Sequence, residues 1–175
     1  MERALVGQAA GMDPSRTWVY DAVHDPDFVG SLLELIRNRE KAPNGAAAGF
    51  RVEGERRLPT SRGVVKVLSG EQSNSSVIVD DGESAAILKV FRVLSDGTNP
   101  EVEVGAALTA AGTLEVPATL GWVRGEWLAQ AANGAAANGA GPRYVQGELA
   151  VAHEFLAGGR DAWLLAVDAA RSGTD

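Results

Sequence analysis

The sequence predicts an α+β fold: a five-stranded antiparallel sheet with one packed helix (residues 63–157), preceded by a small α/β cap segment (1–62) and followed by a linker and one helix (158–175). Three observations predict it. Strand-like runs follow one another with short connections between Val64 and Phe91, which is the economical order of an antiparallel meander. Two cap-plus-proline pairs, Asp25-Pro26 and Asn99-Pro100, each open an apolar-periodic segment. Pro59-Thr60-Ser61-Arg62-Gly63 breaks the pattern and places a boundary near Arg62.

Thr17-Trp18-Val19-Tyr20, aromatic and β-branched, reads as a short strand. From Pro26 to about Arg39, Phe28, Leu32, Leu35 and Ile36 recur at three- and four-residue spacing, so a helix packs there by one face. Lys41 to Gly49 is low in complexity and reads as a loop, and Phe50 to Leu58 as a further strand. Val64 to Leu68 and Ser76 to Val79 are strands flanking a polar turn. Asp81-Gly82 signals a two-residue hairpin with positive φ at both central positions, leading into the strand Ala85 to Phe91. Asn99-Pro100 then starts a helix whose apolar side is Val102, Val104, Ala106, Ala107, Leu108 and Ala111, ending at Gly112. Val116 to Val123 and Leu149 to Leu156 supply two more strands, joined through an Ala/Gly/Asn-rich stretch, 131–142, expected to be a long mobile loop. Gly158-Gly159 separates the sheet from a last helix, Asp161 to Arg171.

Composition narrows the function classes. The 175 residues are 45% apolar, enough for a real core, and carry a net charge of −7, which argues against general affinity for nucleic acid or anionic membranes. With no cysteine there is no disulfide framework, thiolate nucleophile or sulfur-ligated zinc, and the expected compartment is the cytoplasm. No run is long enough to span a bilayer. The only histidines, His24 and His153, lie far apart without a serine nucleophile motif or a metal partner, so hydrolase triads and histidine metal sites are poor candidates, and no metal ligand is assigned.

The chemistry-bearing residues come in a particular order. A polar turn, Gly70 to Ser76, connects two strands, Lys89 follows in an apolar strand, and Glu101 and Glu103 follow in a helix. Backbone N–H groups and hydroxyls at Gln72, Ser73, Asn74 and Ser75 suit phosphate oxygens, although serine and asparagine are also ordinary turn formers. A strand lysine held by a helical carboxylate is the arrangement with which a kinase-like small lobe positions a nucleotide. Alternation places Ile87 on the face of Lys89, where it can roof an adenine ring; on its local sequence alone Lys89 would be a solvent-facing lysine. The macrodipole favours carboxylates in the first helical turns regardless of function, which accounts for Glu101; the choice of Glu103 as the lysine partner rests partly on the family resemblance given below. Glu154 and Leu156, in the strand and linker before Gly158-Gly159, offer main-chain groups to a base edge, and His153 reads as a packed strand histidine at the back of the cleft.

Gly70-Glu71-Gln72-Ser73-Asn74-Ser75-Ser76-Val77, Ile87-Leu88-Lys89-Val90-Phe91-Arg92, Asn99-Pro100-Glu101-Val102-Glu103-Val104-Gly105 and Leu120-Gly121-Trp122 resemble the N-terminal half of actinobacterial maltokinases, which belong to the aminoglycoside-phosphotransferase-like kinases. Tyr20 to Pro26 and Leu32 to Ile36 resemble the cap region of the same family, also found in trehalose synthase–maltokinase fusions, and the likeness runs from about Trp18 to Arg171. The resemblance implies ATP- and Mg²⁺-dependent phosphorylation of the anomeric hydroxyl of maltose. It implies a pair formed by Lys89 and Glu103, a phosphate-covering turn from Gln72 to Ser76, and an adenine-holding linker from Glu154 to Leu156. The partners implied are nucleotide, maltose together with a large lobe, and self-association or trehalose synthase. No His-x-Asp with an asparagine five residues on follows the linker, and no asparagine follows Asn138, so the base, the Mg²⁺ ligands and most of the sugar pocket have no counterpart. The expectation is therefore a partial maltokinase with no catalytic residue in this chain and little or no kinase activity alone, the alternative being a non-catalytic nucleotide- or partner-binding module.

Overall fold

The computed structural model describes residues 4–8, 18–54, 56–68, 73–129, 143–159 and 162–173. Strands β1 (Leu5–Gln8) and β2 (Trp18–Tyr20) pair as a two-stranded ribbon. Helix α1 (Pro26–Asn38) follows, then β3 (Ala47–Arg51), β4 (Val64–Val67), β5 (Asn74–Asp80), β6 (Ala85–Phe91), α2 (Pro100–Ala110), β7 (Thr119–Leu128), β8 (Tyr144–Glu154) and α3 (Ala162–Ser172). The main sheet has six strands, not the expected five, in the order β3-β7-β8-β6-β5-β4, every neighbouring pair antiparallel.

The sixth strand, β3, straddles the expected loop (Lys41 to Gly49) and the start of the expected strand Phe50 to Leu58, which ends at Arg51 instead. Gly49 is small because α1 lies almost on its backbone: an added Cβ would sit 1.9 Å from the Leu35 carbonyl oxygen, and Ala47, on the same face, packs against the core. Gly121 on the paired strand is under the same constraint, with an added Cβ 2.4 Å from Ile36 Cγ2. α1 begins as expected, the Asp25 carboxylate accepting from the Asp27 N–H (2.9 Å) with Pro26 in the first turn. Arg39 ends it in the left-handed region (φ 56°). Val29, Leu32, Leu33 and Ile36 then pack against Val77, Val79, Leu88, Val123, Ala150 and Ala152 as one apolar core. Residues 26–51 thus share a core and a sheet with the strands from Val64 to Glu154.

The opposite face of the sheet carries a smaller cluster, Phe91, Val102 and Val151 with Trp122, beneath α2. Asn99 caps this helix by accepting from the Glu101 N–H (2.9 Å). The apolar side expected for α2 does not face the sheet: Val102 is its one buried residue, and Val104 is 55% exposed. What faces the sheet is a stripe at four-residue spacing, Glu101, Gly105 and Thr109, one above another along the helix.

Two strand-to-loop contacts set where α2 begins. Gly97 N–H donates to the Gln146 carbonyl (2.7 Å), and Asn99 N–H donates to Glu148 Oε2 (2.5 Å). The other Glu148 oxygen accepts from Arg124 Nε (3.1 Å) and Nη2 (2.5 Å), so a carboxylate with a fully buried side chain is satisfied on both sides. The β5–β6 connection also departs from expectation. It is a four-residue loop in which Asp81 accepts from the Glu83 and Ser84 N–H groups, and Gly82 alone has positive φ. The stretch 131–142 lies outside the described residues.

Candidate functional site

Lys89 stands on β6 between Ser76 of β5 and Val151 of β8, on the same face as Ile87 and Phe91, as alternation requires. Its Nζ lies 2.7 Å from Glu101 Oε1. The lysine and a helical carboxylate do meet across the sheet, but the carboxylate is Glu101, not the expected Glu103. Residues two apart on a helix are rotated by about 200°, so only one of the two can face the sheet. Asn99, fastened to Glu148, chooses Glu101, and Glu103 is exposed.

Glu101 is shared. His153 Nε2 lies 3.1 Å from the same Oε1, and His153 Nδ1 lies 3.2 Å from Thr119 Oγ1. The His153 hydrogen bond is the largest influence on the Glu101 carboxyl; partial burial opposes it, Lys89 adds a hydrogen bond and its charge, and the carboxyl is held down at about 2. Around this core the contacts continue: Thr119 N–H donates to Thr109 Oγ1 (2.8 Å), whose hydroxyl donates to the Gly105 carbonyl (2.8 Å). Gly105 leaves room for the Thr119 hydroxyl: an added Cβ would lie 2.4 Å from Thr119 Oγ1 and would displace it.

Beside Ile87, on the same face, a crevice of about 790 Å³ opens toward the linker. Val64, Lys66, Ile78 and Phe155 are among its lining residues, and Ile78 is the cross-strand partner of Ile87. Its rim is held by Asp81, whose carboxylate accepts from the Thr60 N–H (2.7 Å) and ties the Pro59–Arg62 stretch to the β5–β6 loop. These backbone N–H bonds keep the Asp81 carboxyl well below its usual range. A second cavity, of about 360 Å³, lies apart from the lysine site, between Tyr20, Asp21, Val90 and Arg92.

The other expected site residues divide. Gln72 lies outside the described residues. Ser73 is exposed and its carbonyl accepts from Arg92 N–H (3.0 Å). Asn74 and Ser75 belong to β5 rather than to a turn. Asn74, paired with Phe91, shares the Lys89 face; Ser75, paired with Val90, is on the other. There its hydroxyl accepts from Arg92 Nε (2.9 Å) and Nη2 (2.6 Å), and Arg92 also reaches Asp21 (2.5 Å), so Ser75 joins the β2 side of the molecule and not the lysine site. Ile87 lies where expected. Glu154 directs its N–H to the Ala118 carbonyl (2.8 Å) and pairs its carboxylate with Arg56. Leu156 is exposed, its carbonyl closing the linker turn by accepting from Gly159 N–H (3.2 Å).

Sequence reasoning missed Glu101, Thr119, Arg124 and Glu148, and left His153 without a task. A signal for Glu101 existed: Glu101, Gly105 and Thr109 repeat every four residues, a stripe distinct from the rest of a helix rich in alanine and valine. Among the described residues, no group of three or more His, Asp or Glu could hold a metal ion, and no helix is long and apolar enough to cross a membrane. The chain matches no known protein-family model.

Proposed function

We propose that this chain is the nucleotide-positioning part of a maltokinase-like phosphotransferase, binding ATP and contributing no catalytic residue. The observation that carries the reading is the Lys89–Glu101 pair, set on a central strand whose neighbour β5 lines a crevice bordered by Phe155, at the start of the linker after β8. The crevice volume falls within the range of small-molecule sites, roughly 300–1,000 Å³. Its lining sets the apolar Val64, Ile78 and Phe155 beside the cations Arg62 and Lys66 and the carboxylates Asp80 and Asp81, so a ligand there meets an apolar surface next to charge of both signs. ATP, when bound, supplies the transferable phosphoryl group. Lys89 holds phosphate oxygens, Glu101 fixes the direction of its ammonium, and Ile87 and Ile78 lie against the base. In the main chain from Glu154 to Leu156, the Glu154 and Phe155 N–H groups and the Leu156 carbonyl are bonded within the protein, so contact with the base edge falls to the Leu156 N–H. The described residues offer no ligand set for Mg²⁺, so their part is binding and orientation.

Calorimetric titration with ATP tests this. Saturable binding to the wild-type chain is expected, with Lys89→Ala and Glu101→Gln each weaker by about tenfold, the loss of one charge-assisted contact. Glu103→Gln should match wild type. No ADP release is expected with maltose, and turnover at ordinary kinase rates, on the order of 1–100 s⁻¹, would overturn the assignment of binding without catalysis.

A second reading, a partner-binding module, draws on apolar exposure. Trp163 is 74% exposed, Leu164 60% and Val93 73%. Association that rises with protein concentration and ignores ATP would favour it.

A further inference from the structure

The site contains a group that nucleotide binding by a lysine–carboxylate pair does not require. The His153 side chain is only 11% exposed and contacts both Glu101 and Thr119. The protons of this cluster can be assigned from chemistry alone. An ammonium only donates and a carboxylate only accepts, so Glu101 Oε1 takes a proton from Lys89 Nζ and another from His153 Nε2. In the neutral ring Nδ1 is then the acceptor, and the Thr119 hydroxyl must be its donor. Thr119 keeps its hydroxyl available for this because its backbone N–H is taken by Thr109 Oγ1, whose own proton goes to Gly105. Each link from Gly105 to Glu101 thus pairs one donor with one acceptor, and Lys89 gives Glu101 one of its three ammonium protons.

Deepening the nucleotide-binding reading, on which it rests, we propose that His153 is a positioning residue: locked by Thr119 as the Nε2–H tautomer, it holds Glu101 in the rotamer that meets Lys89. The need for such a lock follows from the place of Glu101. The N–H groups of the first turn are already taken by Asn99, but the Glu101 side chain is 31% exposed, so it has an alternative in rotamers that turn out to solvent beside the helix N-terminus, where the macrodipole still favours a carboxylate. A single bond to a flexible lysine does not exclude those rotamers. A second bond, from a ring enclosed by the sheet and α2, does. His153 also immediately precedes Glu154, and its cross-strand partner is Ile87, so the residue that orients the carboxylate belongs to the strand that leads into the linker.

Two readouts test the proposal. Nitrogen-detected NMR of the imidazole should show a proton on Nε2 and none on Nδ1. The carbon-13 titration of the Glu101 carboxyl, read without nucleotide, should keep its low midpoint in His153→Gln, whose side-chain amide can still donate, and rise toward an ordinary glutamate in His153→Leu. ATP affinity should follow: about tenfold weaker for His153→Leu, about two- to threefold for Thr119→Val, and near wild type for His153→Gln and Thr119→Ser. Thr119→Val serves in place of His153→Leu if the latter does not fold, since it removes only the donor to Nδ1. A ring with no proton on Nε2, or a Glu101 midpoint unmoved in both His153→Leu and Thr119→Val, overturns the proposal. Failure of ATP to bind any variant while the Glu101 midpoint still moves as expected supports the positioning role and counts against nucleotide binding alone.

Discussion

Helices α1 and α2 lie on opposite faces of one sheet, and each approaches it through a glycine, but what lies beneath them differs. Under α1, Gly49 faces the backbone of Leu35 and Ile36, and the surrounding contacts are Val, Leu and Ile. Under α2, Gly105 faces a hydroxyl, and the surroundings are Lys89, Glu101, Thr119 and His153. The first interface is stabilised by removing apolar area from water. The second hydrogen-bonds polar groups that would otherwise be costly to enclose, and adds little apolar burial of its own. One face of the sheet secures the fold, which leaves the other free to keep charged side chains in fixed positions.

That division can be broken most forcefully on the α1 side. Leu33→Ala, at a fully buried position, should lower unfolding free energy by about 2–5 kcal/mol in urea titrations followed by circular dichroism, while the folded fraction keeps wild-type ATP affinity. Glu148→Ala comes next, at about 2–3 kcal/mol, because Arg124 loses its partner and the Asn99 N–H its acceptor; here both stability and affinity should fall, since α2 loses its anchor. The two glycines sharpen the contrast. Gly49→Ala meets backbone atoms that cannot give way and should cost about 1–3 kcal/mol. Gly105→Ala meets only Thr119 Oγ1, which can rotate, and the better helix propensity of alanine offsets the crowding, so stability should change by less than about 1 kcal/mol. The rotation nevertheless takes the hydroxyl away from His153 Nδ1, and ATP affinity should drop.

A further effect is a dependence on pH confined to the α2 side. Glu101 is held at about 2, below the ordinary glutamate value near 4.5, chiefly by His153 and then by Lys89. A carboxyl lowered on folding contributes stability that is fully present above about pH 4.5 and is lost as the pH falls from there toward 2. Glu101→Gln should therefore flatten the stability profile between pH 5 and 2.

Much of this architecture is legible in the residues. The cap-and-proline starts at Asp25 and Asn99, and the alternation from Ala85 to Phe91, carry their own local signals, and the corresponding elements are present where expected. The errors share a cause. Ala47, Ala48 and Gly49 look like loop by composition, but the lack of a side chain at Gly49 records the closeness of a helix that no local window contains. Glu101 and Glu103 are equivalent to any rule about helix N-termini, and the choice between them is made by Glu148, 49 residues beyond Asn99. Ser75 could not be assigned to a face because the stretch Asn74-Ser75-Ser76 shows no apolar alternation to set the phase.

Trp122 gives the polar face an optical consequence. Its indole stacks on Phe50 (ring centroids 5.5 Å apart, planes 9° from parallel) and packs in the cluster that contains Val102 of α2, while Nε1 is enclosed with no hydrogen-bond partner among the described residues. An indole N–H shielded from water emits at shorter wavelength than one that is solvated, and any displacement of α2 that admits water would redden it. Trp18 and Trp163, more than half exposed, contribute a solvated background that such a displacement leaves unchanged. The molecule therefore carries a native fluorophore under the helix that holds Glu101, and the position of that helix can be followed in light without a label.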